Sequence, residues 1–112
     1  MTKFVENNLL YDTDSDDLIW SSGRRPYCDD WGYLNDELIE FYKTKNGRFY
    51  RVRYGLPANS ALKWVASFGS DPHEPWIRTY NSPSVAAKAI AKESGMDVLS
   101  IYKMLQIKVE AA

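Results

Sequence analysis

The sequence has very few of the residues on which small metal-binding domains, disulfide-bonded domains and nucleophilic enzymes depend. Among 112 residues there is one cysteine, Cys28, and one histidine, His73. A single cysteine excludes an intrachain disulfide and a metal site built from several cysteines. A catalytic Cys–His pair would require these two residues to meet in space, which their positions in the sequence do not indicate. We therefore predict no enzymatic activity, no cofactor and no metal site.

Long apolar runs are also absent. No segment approaches the roughly 20 consecutive apolar residues of a membrane-spanning helix. The first eight residues contain no apolar stretch of the signal-peptide kind. The sequence predicts a single domain over residues 1–112, located in the cytoplasm and without a membrane segment.

Aromatic residues, by contrast, are plentiful: four Trp, eight Tyr and four Phe. An apolar content of 45% argues against a disordered chain. The sequence therefore predicts a folded domain whose core is largely aromatic.

Charge is distributed unevenly, although the net charge is only −1. Residues 1–40 contain ten acidic and three basic residues, a net charge of −7, whereas residues 41–112 contain five acidic and eleven basic residues, a net charge of +6. Such asymmetry indicates a charged partner or the packing of one half against the other. The acidic candidates for binding a basic protein partner are Asp12, Asp14, Asp16, Asp17, Asp29 and Asp30. A solvated acidic loop is the alternative.

The strongest local signal lies in residues 38–54. Asn46-Gly47 separates two runs of aromatic, β-branched and basic residues, and this predicts a hairpin with a two-residue type I′ turn. That turn would place Phe41 opposite Val52 on a core-facing side. The other pairs on this side would be Lys45–Arg48, Lys43–Tyr50 and Ile39–Tyr54, and the outer side would carry Thr44–Phe49, Tyr42–Arg51 and Glu40–Arg53.

The surrounding segments predict an antiparallel sheet. Residues 1–37 are expected to be loop-rich, because glycine and proline interrupt their apolar positions, although residues 3–10 fit a short strand or an amphipathic arm. Residues 61–68 alternate apolar and polar side chains as a half-buried strand does, and residues 76–80 are expected to form another strand. We expect three or four strands within residues 38–80, centred on the hairpin.

Two helices are predicted over residues 82–107. Ser82 is typical of an N-cap and Pro83 of the first helical position, and Gly95 is expected to end the first helix. Asp97 is expected to cap the second helix. The predicted fold class is therefore α+β, with both helices covering one face of the sheet.

The helix pair also resembles a DNA-binding helix-turn-helix. Ala91, Gly95 and Ile101 have the spacing at which such units place a small contact residue, a left-handed turn and a buried residue of the second helix. Only Lys103 is basic on the expected exposed side of the second helix, where base-reading residues would lie. An αα-hairpin that only covers the sheet is therefore the favoured interpretation.

Direct binding of DNA or RNA is the alternative function. Basic and aromatic residues interleave along the hairpin, and they would supply charges for phosphates and rings for base stacking. The candidate nucleic-acid-binding residues are Tyr42, Lys43, Lys45, Arg48, Phe49, Arg51, Arg53 and Lys103. Basic residues also protect edge strands from aggregation, and Glu40 is placed to neutralise Arg53, so the pattern alone leaves both interpretations open.

The hairpin segment Tyr42–Tyr50, the apolar strand after it and the helix start Ser82–Ala89 together resemble small accessory proteins of bacterial phages and mobile elements, over about residues 38–93. The resemblance carries over no functional residue. It implies a non-catalytic protein that regulates transcription or blocks a host defence complex, as anti-CRISPR proteins do. We accordingly expect a non-enzymatic binding protein, of the inhibitor kind, that acts on a nucleic-acid-handling complex through protein–protein contact.

Overall fold

The computed structural model describes residues 3–28, 34–57 and 75–109, and in these ranges the chain forms seven β-strands and two α-helices. The elements are β1 Lys3–Glu6, β2 Leu9–Asp12, β3 Asp17–Ser21, β4 Arg25–Cys28, β5 Leu34–Lys43, β6 Phe49–Pro57, β7 Trp76–Tyr80, α1 Pro83–Ser94 and α2 Val98–Met104. Strands β1 and β2 form a separate hairpin, and the other five form one antiparallel sheet. The predicted α+β class is confirmed. Three strands of the sheet, β5, β6 and β7, come from the region predicted to form it, and β3 and β4 of the N-terminal segment extend it to five.

The N-terminal segment is not loop-rich as predicted, because it contributes four strands. Strands β3 and β4 pair one after the other with the same side of β5. Ser22 bridges the interruption between them: its N–H donates to the carbonyl of Ile39, and its hydroxyl accepts from the Ile39 N–H. Pro26, which suggested a loop, lies on β4 opposite Asp36, since an outer strand tolerates a residue without an N–H.

The β5–β6 hairpin forms, but its predicted register is wrong by one residue. Thr44 and Arg48 close the loop through a Thr44 N–H to Arg48 carbonyl bond of 2.8 Å, and the Thr44 hydroxyl accepts from the Arg48 N–H at 3.0 Å. The loop therefore has three residues, with Gly47 at φ 82° and Asn46 outside the left-handed region. A three-residue loop with glycine in this position competes with the type I′ turn.

The shift changes which side chains share a face. Phe41 lies opposite Arg51 and Tyr42 opposite Tyr50, so Phe41 and Val52 are buried on opposite faces of the sheet. A one-residue slip moves the side chains of one strand to the other face relative to its partner. The predicted outer side, lined by Tyr42 and Phe49 together, does not exist.

The first face, called here the helix side, is covered by α1 and α2. Phe41 of the sheet packs with Ile90 of α1 and Ile101 of α2, and these three side chains are completely or almost completely buried. The predicted ends of α1 are confirmed: Ser82 accepts the Val85 N–H, and Gly95 ends α1 with φ 71°. Asp97 lies at the N-cap position of α2 as predicted, but its side chain makes no capping hydrogen bond. The predicted cover of one sheet face by the two helices is confirmed.

The second face, called here the tyrosine side, is covered by the β1–β2 hairpin. Tyr42, Tyr50 and Val52 of the sheet form a buried cluster with Tyr11 of β2. The Tyr11 and Tyr50 rings meet edge to face at 4.9 Å, and the Tyr42 and Tyr50 rings stack at 5.3 Å. Such ring pairs add about 0.5–1.5 kcal/mol each beyond the area that they bury.

The two-residue I′ geometry expected at Asn46-Gly47 occurs instead in the β1–β2 hairpin. Glu6 pairs with Leu9, and the intervening Asn7 and Asn8 have φ values of 51° and 62°. Asparagine tolerates the left-handed region better than most residues, so this turn forms without glycine.

The predicted strand at residues 61–68 lies outside the described residues, as do Asp29, Asp30 and His73. Neither of the two described helices is both long and apolar enough to cross a membrane.

Candidate functional site

Four of the six acidic candidates lie at the turn that joins β2 to β3, and the segment Asp12–Asp17 is called here the acidic turn. The Asp14 N–H donates to a carboxylate oxygen of Asp12, and the Asp12 N–H donates to Oδ2 of Asp16, both at 3.0 Å. Local side-chain to backbone bonds of this kind stabilise turns. Asp12 and Asp16 are half-buried structural residues, whereas Asp14 and Asp17 are exposed.

Tyr50 anchors the acidic turn to the sheet. Its hydroxyl donates to Oδ2 of Asp16 at 2.7 Å, and its side chain is completely buried. Burial is the largest cause that raises the pKa of Tyr50, followed by the bond to Asp16. The phenol therefore remains a protonated donor, which a carboxylate acceptor requires. The acidic turn thus contacts the β5–β6 hairpin through a tyrosine, which is an instance of the packing of one half of the chain against the other.

Two of the predicted nucleic-acid-binding arginines belong to an ion-pair cluster of Arg25, Glu37, Arg51, Arg53 and Glu93. Glu37 accepts from Nε of Arg25 at 2.8 Å and from Nε of Arg53 at 3.2 Å. Glu93 accepts from Nη2 of Arg25 at 2.9 Å, and its other oxygen lies 3.7 Å from Nη1 of Arg51. The bond to Glu93 is the largest cause that raises the pKa of Arg25, although burial opposes it.

The predicted pairing of Glu40 with Arg53 is wrong. The one-residue shift in register places Glu40 opposite Val52 and directs it to the tyrosine side. There it accepts the Tyr42 hydroxyl at 3.0 Å, and burial, together with that bond, raises the pKa of Tyr42. Arg53 is instead neutralised by Glu37 on the helix side.

The other predicted nucleic-acid-binding residues are divided between core and surface. Phe49 is buried on the helix side, and Lys43 is half-buried with Nζ 5.7 Å from its ring. Lys45 and Arg48 are exposed at the tip of the hairpin, and Lys103 is exposed on α2. The structure therefore does not bring the eight candidates into one surface.

The helix pair has the turn that the sequence predicted. Gly95 donates its N–H to the Ala91 carbonyl, and Ile101 is completely buried. Around α2, however, large apolar side chains are exposed: Met96, Val98, Leu99 and Met104. A base-reading surface requires hydrogen-bonding side chains at these positions, so the geometry supports the αα-hairpin interpretation.

Sequence reasoning missed the charged and aromatic side chains of β7. Trp76 lies opposite Arg53, and Arg78 lies opposite Arg51. The Arg53 guanidinium carbon is 5.6 Å from the centre of the Trp76 ring. The signal in the sequence was the alternation Trp76, Arg78, Tyr80, which puts these three residues on one face of a strand.

The fold and these surfaces define a small α+β domain with an acidic turn on one side of its sheet and an arginine-rich area on the other. Comparison with protein-family models, curated proteins and solved structures found no match. Within the described ranges, no three His, Cys, Asp or Glu side chains are grouped so that they could hold a metal ion.

Proposed function

We propose that this chain is a non-enzymatic binding protein of the phage or mobile-element type, acting in the cytoplasm on a nucleic-acid-handling complex through a protein partner. The acidic turn is the observation that carries the proposal. Its backbone is held by Asp12 and Asp16, and Tyr50 ties it to the sheet. Exposed Asp14 and Asp17 are therefore presented from a preorganised turn, and preorganisation lowers the entropic cost of binding.

Apolar residues on both sides of the turn favour a protein as the partner. Leu10 precedes the turn on β2 and Leu18 follows it on β3, with exposed fractions of 61% and 52%. Protein interfaces combine apolar contact area with charges that steer association. The charges and apolar side chains of this region are complementary to a basic protein surface that also carries apolar side chains. Nucleic-acid-binding proteins have surfaces of this kind.

A protein complex that survives nuclease treatment is the expected result of affinity capture from a bacterial lysate. The decisive comparison uses the double variant Asp14→Asn/Asp17→Asn, which removes two exposed charges and leaves the bonds of Asp12 and Asp16 in place. Loss of electrostatic steering should slow association and reduce its salt dependence. Loss of every captured protein on nuclease treatment would contradict the proposal.

The matched control is Glu6→Gln/Asp97→Asn, which removes the same charge elsewhere. Both residues are exposed, and the Asp97 side chain makes no capping hydrogen bond to α2. An equal loss of binding in the control would show that net charge, and not the acidic turn, determines the interaction.

Direct nucleic-acid binding by the hairpin tip is the second candidate, favoured by the exposure of Lys45 and Arg48. If the tip contacts phosphates, replacing both residues by Gln should lower the salt slope of oligonucleotide binding by roughly 0.7–0.9 for each lost contact. Unchanged binding would remove the tip from consideration.

A further inference from the structure

The helix side of the sheet carries more positive than negative charge where β6 and β7 meet. Arg51 and Arg78 are direct cross-strand partners, and like charges at such positions repel each other. Together with Arg25 and Arg53 they make four guanidinium groups against the two carboxylates of the ion-pair cluster. This local excess of charge favours an anionic ligand.

Hydrogen bonding is incomplete at the same place. Nε of Arg51 is buried and has no hydrogen-bond partner within the described part of the chain. Over the same residues, no carboxylate lies within ion-pair distance of Arg78, whose guanidinium carbon is 6.0 Å from the Tyr80 ring. Because Arg78 is also exposed, it is available to an incoming oxyanion.

An aromatic surface lies directly beside these charges. Trp76 is 64% exposed, which is unusual for the largest apolar side chain, and the Arg53 guanidinium lies 5.6 Å from its ring centre. Surfaces that bind single-stranded nucleic acids combine cations that follow the backbone with rings on which unpaired bases stack. An acidic peptide would pair with the arginines, but its carboxylates would offer no planar ring to stack on the Trp76 indole.

We propose that β6 and β7 form a binding site for single-stranded nucleic acid, in which Arg78, supported by Arg51, contacts a phosphate and Trp76 stacks on a base. This site is separate from the acidic turn, which is anchored by Tyr50 on the opposite face of the sheet. A chain with both surfaces can bind a protein partner and a single-stranded nucleic acid at the same time.

The test is fluorescence anisotropy of a short labelled oligothymidylate with the full chain, measured over a range of salt concentrations. The two contacts predict different signatures. Arg78→Gln should lower the salt slope by about 0.7, the value for one phosphate contact on a single strand. Trp76→Leu should weaken binding by at least about fivefold, the lower limit for loss of a stacked base, with little change in slope.

Two controls separate this site from general electrostatics. Lys88→Gln removes an exposed positive charge from α1 and should leave binding near the wild-type value. Circular dichroism of each variant should match the wild type, since both β7 side chains are exposed.

Four results would overturn the proposal: no binding by the wild type at low salt, equal losses in Lys88→Gln and Arg78→Gln, equal affinity for duplex DNA, or displacement of the oligonucleotide by a polyglutamate of the same charge. The last result would assign the site to an acidic protein segment. Failure here is distinguishable from failure of the proposed function, because the acidic-turn experiment measures a nuclease-resistant protein complex.

Discussion

The helix side and the tyrosine side are the two faces of the same central strands, but different interactions stabilise them. On the helix side, aliphatic residues such as Ile90 pack on Phe41, and five charged side chains form the ion-pair cluster. On the tyrosine side, stacked phenol rings are covered by a two-stranded hairpin, and their hydroxyls donate to carboxylates.

The difference has a physical consequence for how each side responds to change. The packing of apolar groups involves no titrating group, but it is damaged by any cavity. A buried hydroxyl–carboxylate bond depends on one proton and on the position of the turn that supplies the acceptor. We therefore expect substitutions of apolar residues on the helix side to lower stability equally at neutral and alkaline pH, and substitutions on the tyrosine side to act differently at alkaline pH.

The largest effect should come from a cavity on the helix side. Ile90 is completely buried, so Ile90→Ala should lower the free energy of unfolding by about 2–5 kcal/mol. Val85→Ala on the same helix is the control, because Val85 is half exposed and its loss should change stability by less than about 0.5 kcal/mol. Urea denaturation measures both, and similar values for the two variants would mean that α1 does not pack as described.

The next effect should come from the ion-pair cluster. Glu37 is 9% exposed and binds two arginines. Glu37→Gln should therefore cost about 2–4 kcal/mol, because it removes the carboxylate that Arg25 and Arg53 share, although Arg25 keeps its pair with Glu93. The control Asp36→Asn removes the adjacent carboxylate, which pairs with exposed Arg24, and should cost less than about 1 kcal/mol. Chemical denaturation measures both losses. A larger loss of unfolding free energy in Asp36→Asn than in Glu37→Gln would contradict the structural role of the cluster.

An intermediate effect should distinguish the tyrosine side by its pH dependence. Burial raises the pKa values of Tyr42 and Tyr50 above the ordinary value of about 10, so their contribution is complete below pH 10 and is lost as the pH rises above it. Tyr50→Phe should cost about 1–3 kcal/mol at neutral pH by removing the bond to Asp16. Above pH 10, the unfolding free energy of Tyr50→Phe should fall less steeply with pH than that of the wild type, by up to about 1.4 kcal/mol per pH unit.

The helix-side variant Ile90→Val is the comparison for this pH series. Its unfolding free energy should be lower than that of the wild type by a constant amount, about 0.5–1.5 kcal/mol, from neutral to alkaline pH. If the stability difference for Tyr50→Phe were also constant from neutral to alkaline pH, the protonation of Tyr50 would not be linked to folding, and the pH dependence expected of the tyrosine side would be wrong.

The smallest effect concerns the turn that sets which side chains reach each face. Gly47 has φ 82°, and a Cβ atom added there would meet no atom of the described residues within 4 Å. Gly47→Ala should therefore cost about 1–2 kcal/mol through backbone strain alone. Asn8→Gly in the β1–β2 turn should change stability by less than about 0.5 kcal/mol, because glycine accepts the same left-handed conformation. Thermal unfolding measures both variants. If Gly47→Ala were as stable as the wild type, the assignment of this turn would be wrong.

Local features were predicted well because they depend on neighbouring residues only. Ser82 and Pro83 start α1, and Gly95 ends it, through hydrogen bonds and backbone angles that involve a single turn of chain. The position of the β5–β6 hairpin was also correct. Its register was not, because a two-residue and a three-residue loop at Asn46-Gly47 differ little in local energy and the Thr44 hydroxyl favours the longer loop.

The candidate sites were predicted only as residue types. The acidic residues were recognised, but their division into structural Asp16 and exposed Asp14 depends on Tyr50, which is distant in the sequence. In the same way, Arg53 has the character of a phosphate-binding residue in the sequence, but the fold places Glu37 beside it. Arg78 was overlooked because its importance lies in its neighbour across the sheet.

By itself the sequence determined the α+β class, the place of the hairpin and the ends of the first helix, since each follows from side-chain chemistry within a few residues. Only the tertiary structure decided the register and the two-sided burial of the sheet, and with them which charges are paired and which are exposed. The physical reason is that burial and ion pairing are set by contacts between distant segments, and a shift of one residue in a β-strand exchanges the faces on which those contacts occur.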